Sequence, residues 1–118
     1  QAAIGVAQLN KIERILELKR NIHQVYREGL KGLVGFQKIE EGSTSSYWMC
    51  SIFFKSSQEK NIIVKALNDE NIETRPFFVP INELPFYKKE NDYPVTEEVS
   101  ALGLNLPSYP ELTKEELN

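Results

Sequence analysis

The side chains best suited to chemistry are few in this sequence and far apart along it. Cys50 and His23 are the only cysteine and the only histidine. A single cysteine cannot form an internal disulfide, and one histidine provides no cluster with metal-ligand spacing. Cys50 falls in an alternating apolar run, which predicts a small, inert core residue, while the helical setting of His23 predicts a partly exposed one. We expect neither a nucleophile nor a metal site.

The stretch around Arg75 offers binding groups rather than catalytic ones. Arg75 stands at a predicted strand end beside Pro76, where a guanidinium group can meet a phosphate or a carboxylate. The alternative for Arg75 is an exposed surface pair with Glu73. Phe77 and Phe78 follow in a proline-braced loop, where flat rings can stack on a sugar or a base, although core packing is the commoner role. We expect at least one of the two rings only to pack.

Length and composition limit the class of protein. A chain of 118 residues with 41% hydrophobic content is expected to form one domain. The formal charge of −3 and the isoelectric point near 5.3 disfavour nucleic-acid binding. The apolar runs are too short to span a membrane, and the start lacks a signal pattern. Together with the single cysteine, these features predict a cytoplasmic protein without a membrane partner.

The two ends predict a chain cut from something longer. Apolar residues recur three or four apart from Ile4 to Leu30, which predicts one long helix over about 1–30. Its first turn offers no capping side chain, so we expect the native chain to extend upstream. Thr113 and Glu116 form a capping-box pattern, yet the sequence stops at Asn118, before that helix is expected to form. The alternative is ordinary fraying at both ends.

The middle of the chain predicts a small sheet with helices on it. Residues 33–39 and 46–54 alternate as strands, and Trp48, Cys50, Ile52 and Phe54 share one predicted face. Residues 56–59 form a capping box before a helix, 72–75 form a strand ended by proline, and 76–94 form a loop packed by its aromatic residues. A short helix capped by Thr96 and an extended segment at 104–107 follow. The expected fold class is α+β, a two-layer α/β arrangement of helices on a small, mostly antiparallel sheet.

Four stretches together resemble the DegT/DnrJ/StrS-type family of nucleotide-sugar aminotransferases. They are Gln1 to Leu9 in the first helix, Ser46 to Met49 in the central strand, Ile72 to Phe78 with Pro80, and Leu106 to Pro110 near the end. Each stretch alone is weak evidence. Their order and intervals suit one small domain, so the resemblance covers almost the whole chain.

The resemblance implies that residues 1–118 are a single C-terminal small domain that opens with an interdomain helix, without the N-terminal domain that binds pyridoxal phosphate. A homodimeric fold-type-I enzyme of this kind transfers an amino group from glutamate to a keto nucleotide-sugar, in amino-sugar or cell-surface polysaccharide biosynthesis. Ten lysines occur in the sequence, but none stands where the resemblance places the cofactor lysine. We therefore expect no catalytic, cofactor-binding or metal-binding residue here, and an inert fragment.

The candidate substrate-binding residues are Arg75, Phe77, Phe78 and Asn82, and the resemblance places the step from Thr74 to Pro76 near the substrate. Asn82 stands where many relatives carry histidine, so a neutral amide replaces a group that titrates near neutrality. Hydrogen bonding to substrate survives that change, whereas acid–base chemistry does not.

Two other classes of protein compete with this interpretation. One is a stand-alone α/β module that binds a small molecule or a protein without a cofactor. The other is an RNA-binding sheet that uses Tyr47, Trp48 and Phe53 as stacking platforms, which the acidic composition opposes. For Tyr47 and Trp48, packing in the core or on the sheet is the preferred interpretation.

Overall fold

Helices and short strands alternate along the chain. A computed structural model describes residues 1–87 and 92–117. The elements, in chain order, are α1 (Ala2–Leu9), α2 (Ile12–Gly29), β1 (Gly35–Phe36), β2 (Cys50–Phe53), α3 (Ser57–Asp69), β3 (Arg75–Pro76), a 3-10 helix (Ile81–Glu83), α4 (Pro94–Leu102), β4 (Gly103–Leu106) and α5 (Lys114–Leu117). This is the predicted order, except that the first predicted helix is two helices and the loop contains a 3-10 helix. The α+β class is confirmed.

The chain folds into two compact units. The first unit comprises Gln1–Lys31, Lys38–Cys50 and Ser108–Asn118, and the second comprises Gly32–Gln37 and Ser51–Pro107. The first unit contains α1, α2 and α5. The second contains α3, α4 and the sheet except for Cys50, the first residue of β2. Among the described residues, no helix is both long and apolar enough to cross a membrane.

The long helix predicted for the first unit is interrupted once. α1 ends at Leu9 and α2 begins at Ile12, because the amide of Lys11 donates to Gln8 three residues back instead of four. Asn10, a poor helix former, lies at this tightened turn. The regular pattern resumes when the amide of Ile15 donates to Lys11. The prediction of one helix over 1–30 thus missed a local change in hydrogen bonding.

The first unit packs along one face of α2. Ile22 and His23 are buried there, and half-buried residues precede and follow them at helical spacing. α5 contacts α2. The capping box predicted at its start is present, since the amide of Thr113 donates to Glu116 and the amide of Glu116 donates to the Thr113 hydroxyl. One helical turn therefore does form before residue 118, against the prediction.

The sheet of the second unit has the strand order β1-β2-β4-β3. β1 pairs with β2 and β3 pairs with β4, both antiparallel, with Arg75 opposite Asn105. Ser51 of β2 bonds to Asn105 of β4, and one residue beyond each strand the amide of Phe54 donates to the carbonyl of Leu102. The residue numbers increase from Ser51 to Phe54 while those of their bonded partners decrease, so β2 and β4 are antiparallel too. β3 with Pro76 lies at an edge, as predicted for proline.

One face of the sheet carries the apolar core of the second unit. Ile52, Phe54 and Leu104 are buried, and Val64 and Leu67 of α3 pack against them. α3 begins as predicted, because the Ser56 hydroxyl accepts the amide of Glu59. The alternation predicted for β2 is therefore right from residue 50 onwards. It fails before that, because Tyr47 has a positive φ of 49° and Trp48 is 69% exposed.

The loop predicted to pack through its aromatic residues does so only in part. Phe77 packs, but Phe78, Phe86, Tyr87 and Tyr93 are exposed. Residues 88–91, which belong to this prediction, lie outside the described part of the chain. Tyr93 occupies the N-cap of α4 and Pro94 its first turn, so Thr96 was the wrong cap. Proline suits a first helical turn because its missing amide leaves no bond unmade.

Candidate functional site

Arg75 is presented at the open edge of the sheet. Its side chain is 76% exposed, and its Nε lies 4.0 Å from Oε1 of Glu73, itself 84% exposed. An ion pair this exposed and this long contributes little to stability. The predicted surface pair is thus present, but it leaves the guanidinium accessible to a ligand from solvent.

Phe77 and Phe78 have different environments. The Phe77 ring is half-buried over Gly103 and meets Phe53 edge-on, with centroids 5.3 Å apart and planes at 74°. The Phe78 ring is 77% exposed. The expectation that at least one ring packs holds for Phe77, and Phe78 is the ring left open to solvent.

α4 holds the segment that follows Phe77. The hydroxyl of Ser100 donates to the Phe78 carbonyl at 3.0 Å, and Nδ2 of Asn82 donates to Oε1 of Glu97 at 3.4 Å. Ser100 and Glu97 are three residues apart and so lie on one face of the helix. The half-buried Asn82 is therefore fixed to α4, and its neutral amide offers hydrogen bonds without titrating near neutrality.

A row of polar side chains crosses the sheet beside Arg75. The Ser51 hydroxyl donates to Oδ1 of Asn105 at 2.7 Å, and Asn105 stands directly opposite Arg75. Asn105 is only 8% exposed. These three residues alternate with the core residues along their strands and so lie on the other face. Sequence patterns missed Asn105 because only the strand register brings it to Arg75.

The first unit buries a second group of reactive side-chain types. Sγ of Cys50 lies 3.7 Å from Nδ1 of His23, and the Tyr47 ring stacks on His23 at a centroid distance of 4.3 Å. His23 is 8% exposed, so the prediction of a partly exposed histidine was wrong. The helical pattern alone could not show that Tyr47 and Cys50 cover its ring.

Burial holds this group in its uncharged forms. Desolvation raises the pKa of Cys50 to about 12, and the nearby Lys19 ammonium only partly opposes that rise. Desolvation also lowers the pKa of His23, and the charge of Arg27 adds to the effect. A thiol in this state is a poor nucleophile. The prediction that Cys50 is a core residue is confirmed, since it is 1% exposed, and its inertness stays a prediction.

Lys19 is a structural lysine beside this group. Its Nζ donates to the Trp48 carbonyl at 2.9 Å and lies 3.4 Å from the Ser108 hydroxyl. The pKa of Lys19 is lowered by desolvation, and the charge of the neighbouring Glu111 carboxylate opposes that effect only in part. Trp48 itself is exposed, so the predicted packing was wrong for its ring. Its backbone rather than its side chain is what the fold uses.

The chain belongs to the DegT/DnrJ/EryC1/StrS aminotransferase family, whose sequence profile matches residues 1–118. It is 36% identical to the GDP-perosamine synthase of Escherichia coli O157:H7 over 98% of this chain and 32% of that protein. It is 37% identical to the GDP-perosamine synthase of Vibrio cholerae over 98% of this chain and 33% of that protein. The chain therefore spans about a third of the length of these curated relatives.

Solved structures share the fold at lower sequence identity. The aminotransferase TlmJ from Streptoalloteichus hindustanus superimposes with a TM-score of 0.90 at 23% identity, over 98% of this chain and 32% of its own. PseC of Helicobacter pylori, an aminotransferase involved in the biosynthesis of pseudoaminic acid, gives a TM-score of 0.87 at 18% identity, over 99% of this chain and 33% of its own. These likenesses establish the fold of the described residues.

The surroundings of the described lysines do not fit pyridoxal phosphate. Such a site needs a free lysine amine inside a pocket that also holds the cofactor. The amine of Lys19 is bonded to the Trp48 carbonyl, and the other described lysines lie exposed on the surface, apart from Lys60, which is half-buried in α3. Within the same residues, no group of His, Cys, Asp and Glu side chains is able to hold a metal ion.

Proposed function

We propose that this chain is the C-terminal small domain of a pyridoxal-phosphate-dependent aminotransferase that acts on a nucleotide-linked keto sugar. The observation that carries the proposal is the family match over residues 1–118, together with 36% and 37% identity to two GDP-perosamine synthases. A dTDP-4-amino-4,6-dideoxy-D-glucose transaminase of Escherichia coli is 29% identical over 97% of the chain. The shared feature of these names is an amino sugar carried on a nucleotide.

In this proposal the exposed part of the second unit faces the substrate. The Arg75 guanidinium binds an anionic group of the nucleotide sugar, since it is accessible and only weakly paired with Glu73. The exposed Phe78 ring offers an apolar surface to the sugar or the base. Asn82, fixed by Glu97, contributes amide hydrogen bonds. The half-buried Phe77 ring binds the substrate through its accessible side. These four residues bind and orient, and none moves a proton.

The remaining parts of the reaction belong to protein outside this chain. Pyridoxal phosphate supplies the electron sink for amino transfer when it is bound. We propose that another domain of a longer polypeptide binds it, that glutamate is the amino donor, that the enzyme is a homodimer and that it works in the cytoplasm. In this arrangement residues 1–118 alone are inactive.

The family match favours this function over the two alternatives. An RNA-binding sheet would need the Tyr47 and Phe53 rings free for stacking. Tyr47 instead stacks on His23, and Phe53 packs against Phe77. A stand-alone binding module finds no specific support in the described contacts.

The test uses the full-length protein with pyridoxal phosphate, glutamate and either a GDP-linked or a dTDP-linked keto sugar. We expect mass spectrometry to detect the amino sugar with at least one of the two nucleotides. Borohydride reduction followed by peptide mapping should place the cofactor on a lysine outside residues 1–118. A protein that forms no amino sugar from either class would contradict the proposal, and a modified lysine within this chain would contradict the assignment of the cofactor.

A further inference from the structure

Gly103 opens β4 in a conformation that does not require glycine. Its φ of −80° and ψ of 146° are extended values that any L-residue adopts. A Cβ at this position would nevertheless stand 2.5 Å from Cδ2 and Cγ of Phe77 and 2.6 Å from Cδ1. The glycine is therefore required by the Phe77 ring and not by its own backbone.

The clash would fall on the least movable part of the ring. Cγ is one bond from the Cβ of Phe77, and the backbone just before it is held by the pairing of Arg75 and Pro76 with β4. Phe53 limits the other side, since it meets the Phe77 ring edge-on across Gly103. A side chain at residue 103 thus has to push the Phe77 ring away from the sheet.

The position of this ring matters because Arg75 is its neighbour on the same face. Arg75 stands opposite Asn105 and the Phe77 ring lies over Gly103, and these two β4 residues are two apart and so face the same way. An aromatic ring thus stands beside an exposed guanidinium, next to the polar row of Ser51 and Asn105. A sugar diphosphate carries the matching chemistry, because its C–H-rich ring face is joined directly to anionic phosphate oxygens.

We propose that Gly103 is a positioning residue for Phe77, and that it thereby determines how the sugar ring of the nucleotide-linked substrate is bound. Because Gly103 has no side chain, the Phe77 ring lies against β4. In this position the sugar ring of a sugar diphosphate contacts Phe77 while its phosphate oxygens contact Arg75. This inference rests on the proposed function and extends it to a residue that touches no substrate itself.

The experiment measures steady-state kinetics of the full-length enzyme with the nucleotide sugar and with glutamate, for the wild type and three variants. Gly103→Ala should raise KM for the nucleotide sugar on the order of tenfold, as expected when one apolar contact is displaced. KM for glutamate and kcat should stay within about twofold. Phe77→Ala should show the same pattern. The double variant should be no worse than Phe77→Ala, because the ring that the added methyl group would displace is already gone.

Gly35→Ala is the matched control. Gly35 lies on the same sheet face, opposite Phe53, but a Cβ there would stand 3.5 Å from the Cβ of Phe53, an ordinary contact. We expect its kinetic constants to equal those of the wild type. If Gly103→Ala fails to fold, the double variant decides, since removal of the Phe77 ring removes the clash.

The outcomes separate the inference from the function on which it rests. An active wild type in which Gly103→Ala leaves KM for the sugar unchanged would overturn the inference alone. So would losses of the two single variants that multiply in the double variant, because they would be independent. A full-length wild type that is inactive with nucleotide sugars would overturn the proposed function and the inference with it.

Discussion

Two regions of the protein differ in how far their functional side chains are buried. The group of Lys19, His23, Tyr47 and Cys50 in the first unit has the residue types of nucleophilic chemistry, yet its thiol and imidazole are packed away and held uncharged. The segment from Arg75 to Asn82 in the second unit has no nucleophile or titrating base. It is open to solvent at Arg75 and Phe78.

The comparison teaches that residue type alone is a poor guide to function. Desolvation removes the reactive form of a thiol and of an imidazolium, so the buried group serves the fold. A guanidinium group stays charged in proteins, and an exposed one is accessible for binding an anion.

The strongest test of the buried group is the reactivity of Cys50. With a pKa of about 12 instead of 9.0, its thiolate fraction near pH 8 should be about a thousandfold lower than in the unfolded chain. We expect alkylation by iodoacetamide to be slower by at least that factor in the native protein than in denaturant. Mass spectrometry over time measures both rates, and equal rates would show that the thiol is accessible and ordinary.

The strongest test of the exposed segment is Arg75→Ala in the proposed full-length aminotransferase. Under the proposed function, loss of a charged hydrogen bond to the substrate should raise KM for the nucleotide sugar about 10- to 100-fold, the equivalent of roughly 1.5–3 kcal/mol. Glu73→Gln is the control, because it removes the same weak ion pair and keeps the guanidinium. Unchanged KM and kcat in Arg75→Ala would remove this residue from the site.

The pH dependence of stability gives a smaller effect in the first unit. The folded-state pKa of His23 lies below its usual 6.5, so the unfolded chain binds a proton first as the pH falls. The free energy of unfolding should therefore be highest above pH 6.5 and fall below it, by at most about 1.4 kcal/mol per pH unit. Urea unfolding of the wild type and of His23→Gln between pH 5 and 8 measures this slope. The variant should lose it, and identical slopes would contradict the assignment to His23.

The smallest effect should separate two adjacent aromatic residues. Tyr47 stacks on His23, whereas Trp48 is 69% exposed. We expect Trp48→Ala to change the free energy of unfolding by less than about 0.5 kcal/mol. Tyr47→Leu should cost about 1 kcal/mol through the lost ring contact. Urea unfolding followed by circular dichroism measures both, and an equal or reversed order would contradict the described packing.

Much of the candidate site could be predicted in kind but not in arrangement. Arg75 and Asn82 were chosen with the help of a resemblance to known aminotransferases, and Phe77 and Phe78 for their ring chemistry in a proline-braced loop. The roles of all four as substrate-binding residues stay a prediction. The pairing of Asn82 with Glu97 spans 15 residues, and the bond between Ser51 and Asn105 spans 54. No local pattern encodes contacts at that separation, because they depend on strand register and helix placement.

The sequence by itself determined the features whose causes lie within a few residues. Ser56 capped α3, Thr113 and Glu116 formed their capping box, and Pro76 marked an edge strand. Only the tertiary structure determines that Tyr47 and Cys50 cover His23, and that a side chain at Gly103 would clash with the Phe77 ring. A cap or a strand edge is satisfied by neighbouring backbone groups. Burial and ring packing instead depend on side chains that only the folded chain brings together.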